Sequence, residues 1–331
     1  MNLVSERPEI SIIVTNWNGK AFIEECISTL WASSEASGHT FELIVVDDVS
    51  SDGSLELIHG KFSQVRLVRN EKNLGFAGTS NRGALEARAP VILMMNNDMR
   101  VPQECVGRVV APFFEPRDPA SPPLFAVSLK TVDWHDGSPN HLCIDAAWRR
   151  GGIGKVWSDP QERCRTIFPQ GGSAAYDREL FLRMGGFDRI FFPTYWDDYD
   201  LSYRAWKAGW ESWYEPRAVA DHLGKATMKR QTTYNRREQI IERNRLWFNW
   251  LNLTDPLLIV RHVLAIPWIY GRDVISGKGL NGTLGFFRAV PGLPKILVHR
   301  RKRRKSDPPQ RYNDRYLIHP ENIGKTKYFD V

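Results

Sequence analysis

Val91-Ile92-Leu93-Met94-Met95-Asn96-Asn97-Asp98 runs apolar for five residues and then stops at three polar ones. A stretch apolar at every position, not at every second one, reads as a strand buried on both faces. Ile10 to Thr15 (ISIIVT) and Phe41 to Val46 are nearly as apolar, and Val65 to Arg69 reads as a further strand. Between them, Ala21 to Ala32, Ser54 to Phe62 and Phe76 to Ala87 read as helices. The alternation implies an α/β fold with a mostly parallel central sheet and helices on both faces. In such sheets ligands bind beyond the carboxyl ends of the strands, which gathers Thr15, Asp47, Asp48 and Asn96 to Asp98 along one edge.

Downstream the rhythm breaks. Pro116 to Phe168, with its Pro-rich start and many glycines, reads as a loop-rich insert over the site. Helices are expected over Asp177 to Met184, ended by Gly185-Gly186, over Asp200 to Ala208, closed by Gly209, and over Tyr234 to Leu253. Asp255-Pro256 marks a boundary. No internal repeat is visible.

The polar residues at the strand ends suggest chemistry. Asp47-Asp48, followed by Asp52, lie between a strand and a helix. A carboxylate there can accept the imide N–H of a uracil or thymine, and strand-end hydroxyls can hold ribose. Capping of the next helix by Ser51 or Asp52 is the plainer alternative. Asn73 to Gly78 with Asn81 brings small residues and amides to a helix start, where backbone N–H groups approach phosphate or sugar. Asp98 supplies one hard oxygen ligand suited to Mg²⁺ or Mn²⁺, the alternative being a polar turn. Further on stand the acid cluster Trp196-Asp197-Asp198-Tyr199-Asp200 and a single imidazole, His222. An acidic helix start satisfying the dipole and an ordinary histidine are the bland counterparts.

Taken in order, these motifs resemble family 2 glycosyltransferases of the GT-A fold, and most nearly the bacterial rhamnosyltransferase-like members. The resemblance runs from about Ile10 to Leu253. It is carried by Ile13 to Gly19, the Asp47 to Ser54 block, Asn73 to Ala77 with Asn81, Asn96 to Asp98 and Gly171 to Ala174. Gly185 to Asp188, Trp196 to Arg204, Gly209-Trp210, His222 and Glu242 to Arg245 complete it. The resemblance implies that Asp198 is the catalytic base and that Asp98 and His222 hold Mg²⁺ or Mn²⁺. It implies nucleotide-sugar contacts from Thr15, Asn16, Asp47, Asp48, Asn73, Gly75, Phe76, Asn81, Asn96 and Asn97, with Asp47 on the base. Trp196, Asp197 and Gly172 are the expected acceptor contacts, whereas Trp206 is expected in the core. Two positions depart from the pattern. Asn96 stands where relatives carry the first acid of a DXD-type element, and Asp197 stands where many carry Glu. Asp221, beside His222, is either an extra ligand or a surface acid.

The implied activity is inverting, metal-dependent transfer of a sugar, rhamnose by resemblance, from a nucleoside diphosphate to a hydroxyl of a saccharide or lipid-diphosphate-linked acceptor, in surface-polysaccharide assembly. A glycoside hydrolase built on paired acids and a non-catalytic sugar- or nucleic-acid-binding protein are the competing classes.

Composition sets the frame. The chain has 331 residues, 42% hydrophobic and 25% charged, which suits a globular protein. The net charge of +7 is concentrated: no acid occurs between Val274 and Ser306, where nine Lys and Arg residues lie. The remainder is therefore near neutral, and no nucleic-acid partner is expected. A GT-A domain over residues 1–253 and a helical, basic extension over 254–331 follow. The basic run, interleaved with Phe286, Phe287, Leu293 and Ile296 to Val298, reads as an element for an anionic membrane surface. Four scattered cysteines without a CxxC pair point to neither zinc nor disulfides, and Met1 to Pro8 is too polar for a signal peptide. Leu257 to Tyr270 is too short and too polar to span a bilayer. The expected location is cytoplasmic, at the inner face of the cell membrane.

Overall fold

The computed structural model describes residues 7–223, 233–276 and 279–323. Its first hundred residues alternate as the apolar periodicity predicts: β1 (Ile10–Asn16), α1 (Ile23–Ala36), β2 (Phe41–Asp47), α2 (Ser54–Lys61), β3 (Arg66–Arg69), α3 (Gly75–Glu86) and β4 (Val91–Asn96). β1 pairs in parallel with β2 and β4, and β2 with β3. Asn16 falls opposite Asp47, and Thr15 opposite Asn96, so the carboxyl ends of three strands finish level. Successive side chains of a strand point to opposite faces. Ile12 and Val14 accordingly enter the core under α1 and α4 (Cys105–Phe114), and Ile13 the core under α3.

The region after β4 corrects the expectation of a loop-rich insert. Following β5 (Met99–Arg100) and α4, Pro116 to Phe168 contains β6 (Leu124–Asp133), β7 (Pro139–His141), the hairpin β8 (Cys143–Arg149) and β9 (Gly152–Ser158), and β10 (Cys164–Arg165). The apolar start of β6, Leu124 to Val127, is wholly internal and sits inside the main sheet. Flanking prolines obscure it in the sequence. Next come β11 (Ser173–Asp177), α5 (Arg178–Arg183), α6 (Asp197–Lys207) and β12 (Glu211–His222). The main sheet runs β10-β12-β6-β11-β4-β1-β2-β3. β11 is antiparallel to β4 and β6, while β6 and β12 are parallel. β5 pairs with the end of β12, His222 opposite Met99.

The remaining helices are α7 (Tyr234–Asn252), α8 (Pro256–Ser276), α9 (Leu280–Ala289), α10 (Leu293–Ser306) and α11 (Asp314–Leu317). A third core joins α6, α7, the β8–β9 hairpin, Ile296 and Leu317. The basic run is not a freely solvated tail. Arg303 donates to Asp200 at 3.0 Å, Arg300 donates to the carbonyls of Trp250 and Leu253, and His299 contacts Asp188 at 2.5 Å. Arg301, Lys302, Arg304 and Lys305 remain exposed. Asp314 is fully buried and receives Lys207 at 2.7 Å and the Tyr203 hydroxyl at 2.9 Å. No helix among the described residues is long and apolar enough to cross a membrane.

Candidate active site

At the level ends of β1, β2 and β4, amide and carboxylate groups lock together. Asn16 donates from Nδ2 to Asp47 Oδ1 at 3.0 Å and accepts at Oδ1 from Asn97 Nδ2 at 2.8 Å. Asp47 also receives the Ser50 N–H, and Asp48 receives the N–H groups of Leu74 and Gly75 at 2.7 and 2.9 Å. Both acids are essentially inaccessible. Asp47, expected on a nucleobase, holds the Ser50 turn here, and Asp48 holds the start of α3. Two strand-end loops crowded with unpaired N–H donors need buried acceptors. Asn81 is likewise engaged at both ends of its amide, with the backbone of Phe187. The expected donor contacts that are at least partly open are Thr15, Asn73, Gly75, Phe76, Asn81 and Asn96. Gly75 takes φ +67°, and a Cβ there would come within 3.0 Å of the Phe192 ring, so this turn needs glycine.

Asp98 and His222, 124 positions apart in sequence (222 − 98 = 124), are brought together by the β5–β12 pairing. Their Oδ1 and Nε2 atoms lie 3.3 Å apart. Octahedral Mg²⁺ with bonds of about 2.1 Å sets neighbouring ligands about 3 Å apart, so this pair is spaced as adjacent ligands of one ion. No group of three or more His, Cys, Asp or Glu suited to a metal occurs among the described residues. Two protein groups leave most of the coordination sphere to other oxygens, as sites for substrate phosphates do. Asp221 points to the other face of β12 and pairs with Arg100 at 2.6 Å, which removes it as a ligand.

The acid cluster forms the first turn of α6, three residues earlier than the glycine-closed pattern suggests. Tyr195 and Trp196 precede it with φ of +74° and +75°, a left-handed turn that costs non-glycine residues about 1–3 kcal/mol each. Asn244, fully buried on α7, holds that turn: its Nδ2 lies 2.8–2.9 Å from the carbonyls of Phe191, Thr194 and Tyr195. Asp198 then reaches back to the strand edge. Its Oδ2 accepts the Gly171 N–H at 3.1 Å, and the Gly172 carbonyl accepts the Asn96 N–H at 3.0 Å. Asp198, Gly171-Gly172, Asn96 and Asp98 therefore follow one another along one contiguous edge. A Cβ on Gly172 would come within 2.3 Å of Asn96 Oδ1, so this residue packs against the amide.

Burial raises the Asp198 carboxyl above the ordinary range, against the N–H groups of Gly171 and Tyr199 and the nearby Lys155 cation. Burial, and then the adjacent Asp198 charge, push Asp197 much further up. Asp197 is 3% exposed, with one oxygen lacking a hydrogen-bond partner among the described residues. This enclosure is where the structure places the residue expected as an acceptor contact. Trp196, also expected as an acceptor contact, is 2% exposed, and its indole packs on Phe248 and Tyr199. Trp206 is core as expected. Lys155 was not legible beforehand, because one lysine in a glycine-rich hairpin carries no pattern.

The chain matches a family model described as glycosyl transferase family 2 over residues 11–184, more than half its length. Among curated proteins, N-acetylgalactosaminyltransferase 7 of Drosophila melanogaster is 25% identical over 205 residues, 56% of this chain and 34% of that protein. A solved structure of GalNAc-T7 with UDP, GalNAc and Mn²⁺ superposes with a TM-score of 0.58 at 16% identity, covering 76% of this chain and 49% of that one. A mannosyltransferase from Pyrobaculum calidifontis, in complex with GDP-Man and Mn²⁺, gives 0.52 at 16% identity, covering 98% and 89%. The chain thus spans between a third and a half of the length of its N-acetylgalactosaminyltransferase relatives. Matched by the family model across the β1-to-α5 scaffold, and sharing its fold with solved transferases, the chain belongs to glycosyl transferase family 2.

Proposed function

We propose that the protein is an inverting, divalent-metal-dependent glycosyltransferase. It moves a sugar from a nucleoside diphosphate to a hydroxyl of a saccharide or lipid-diphosphate-linked acceptor, in surface-polysaccharide assembly. The observation that carries this reading is the contiguous edge from the Asp98–His222 pair through Asn96 and Gly172 to Asp198. In support, the two structural neighbours were solved with nucleotides or nucleotide sugars and Mn²⁺. Rhamnose as the transferred sugar rests on the sequence resemblance alone.

Asp98 and His222 would hold Mg²⁺ or Mn²⁺, which when bound supplies positive charge against the departing diphosphate. Asp198, fixed by the N–H groups of Gly171 and Tyr199, takes the proton of the attacking hydroxyl. Attack from the face opposite the leaving group inverts the anomeric centre. Asp198→Asn should cost about 10²–10⁴-fold in turnover while nucleoside diphosphate binding persists. Turnover close to wild type would refute the assignment. A thermal-shift panel of nucleoside diphosphates with Mn²⁺ tests the donor site, since binding stabilises in proportion to affinity.

The division into residues 1–253 and 254–331 is part of the same proposal, with the second part as a brace carrying a membrane-facing surface. The outer face of α8 presents Leu257, Val260, Leu264, Trp268 and Ile275 at helical spacing, Leu264 being 70% and Trp268 65% exposed. Most exposed large hydrophobics of the described chain fall between residues 257 and 298, beside Arg261, Arg272 and the open cations of α10. Such a surface favours an anionic bilayer, at the cytoplasmic face.

A further inference from the structure

Lys155 on β9 carries its ammonium into a ring of aromatic faces beside the proposed base. Its Nζ lies 4.7 Å from the centroid of Tyr199 and 5.5 Å from those of Trp157 and Trp196. Trp157 and Lys155 are two apart on one strand and so share a face of the hairpin. Lys155, Trp157 and Tyr199 are all partly exposed, whereas Trp196 closes the ring from below.

Among the described residues this ammonium has no hydrogen-bond acceptor and no ion-pair partner within 4.0 Å, although most cations of the third core are fully paired. Arg204, Lys207 and Arg303 each meet a carboxylate, while Lys155 meets only π faces. An ammonium has three N–H groups to satisfy, and aromatic faces attract the charge without accepting those bonds as oxygens do. Burial lowers the lysine's hold on its proton, and the charges of Asp198 and Glu238 act against that. A further anion arriving at the open side would supply the missing acceptors and favour the charged form.

We propose that Lys155, Trp157 and Tyr199 form the acceptor subsite, and that the acceptor presents an anionic group, phosphoryl or carboxylate, to the Lys155 ammonium while its hydroxyl meets Asp198. The aromatic rings take the apolar face of the sugar, and the ammonium fixes its orientation. The inference rests on the transferase reading, and it names the acceptor's chemistry.

The test is an NMR titration of the full chain with three probes: methyl glucuronide, glucose 6-phosphate and the neutral methyl glucoside. Diamagnetic Mg²⁺ and a mixture of UDP, dTDP and GDP keep the donor pocket filled. At least one charged probe should bind about tenfold or more tightly than the neutral one, and added salt should erode the difference. Lys155→Met should abolish the preference, and Lys155→Arg should retain part of it. Stronger binding of the phosphate identifies a lipid-phosphate type of acceptor, and stronger binding of the carboxylate an acidic sugar. Equal binding of charged and neutral probes by the wild type, or a preference that survives in Lys155→Met, overturns the inference. The preference and its salt dependence are read in the wild type alone, so a variant that fails to fold leaves the test standing. Failure of every nucleoside diphosphate to stabilise the wild type with Mn²⁺ strikes the transferase reading instead.

Discussion

At the scale of single residues, the adjacent acids Asp197 and Asp198 are given different work by a few ångströms of environment. Burial raises both, but at Asp198 the N–H groups of Gly171 and Tyr199 and the Lys155 charge oppose it, whereas at Asp197 the neighbour's charge adds to it. The folded protein therefore keeps a proton on Asp197 that the unfolded chain has already released. Stability from this group is fully present below the ordinary carboxylate range and is lost as pH rises toward the raised value. Asp197→Asn should consequently raise the urea midpoint at about pH 8, with the gain disappearing near pH 4. A gain independent of pH would contradict the assigned burial. Asn16, Asp47, Asp48 and Asn97 teach the complementary lesson. They are legible as special from their position at strand ends, but only the structure shows them bonding to one another and to loops.

At the scale of elements, the proposed base depends on a residue of another helix. Asn244 on α7 holds the left-handed turn at Tyr195 and Trp196, and that turn aims the first residues of α6. Asn244→Ala removes the clamp, and misplacement of a catalytic group by about 1 Å can cost about 10²-fold. The expected outcome is a fall in kcat of that order with nucleoside diphosphate affinity unchanged. A change confined to nucleotide affinity would assign Asn244 elsewhere. The second joint is Lys207–Asp314, which ties α11 to α6 at full burial. Removing one partner of a buried pair strands the other, so Asp314→Ala should destabilise by about 3–5 kcal/mol, measured by urea unfolding. A loss under about 1 kcal/mol would mean that Lys207 sheds its proton or finds solvent.

At the scale of the whole molecule, the described helices after residue 253 brace the third core and also carry exposed apolar side chains. Deleting it to test membrane binding would strip Ile296, Arg303 and Asp314 from the core, so truncation confounds binding with folding. Substitution on the outer face of α8 separates them. Leu264→Glu with Trp268→Glu should abolish flotation with vesicles rich in anionic lipid, while the melting temperature stays near wild type, because both side chains lie outside every core cluster. Undiminished flotation of the double variant would end the membrane proposal for this face.

The sequence by itself determined the α/β alternation, the edge on which polar residues collect, and the family, because apolar periodicity and strand-end chemistry are local and survive translation along the chain. It also carried the concentration of positive charge in the last eighty residues. Only the tertiary structure decided which polar groups face outward, that β6 is a central strand, and that half-buried Lys155 stands beside Asp198. Those outcomes depend on which distant segments meet, and the partner that satisfies a buried N–H or carboxylate can lie a hundred residues away.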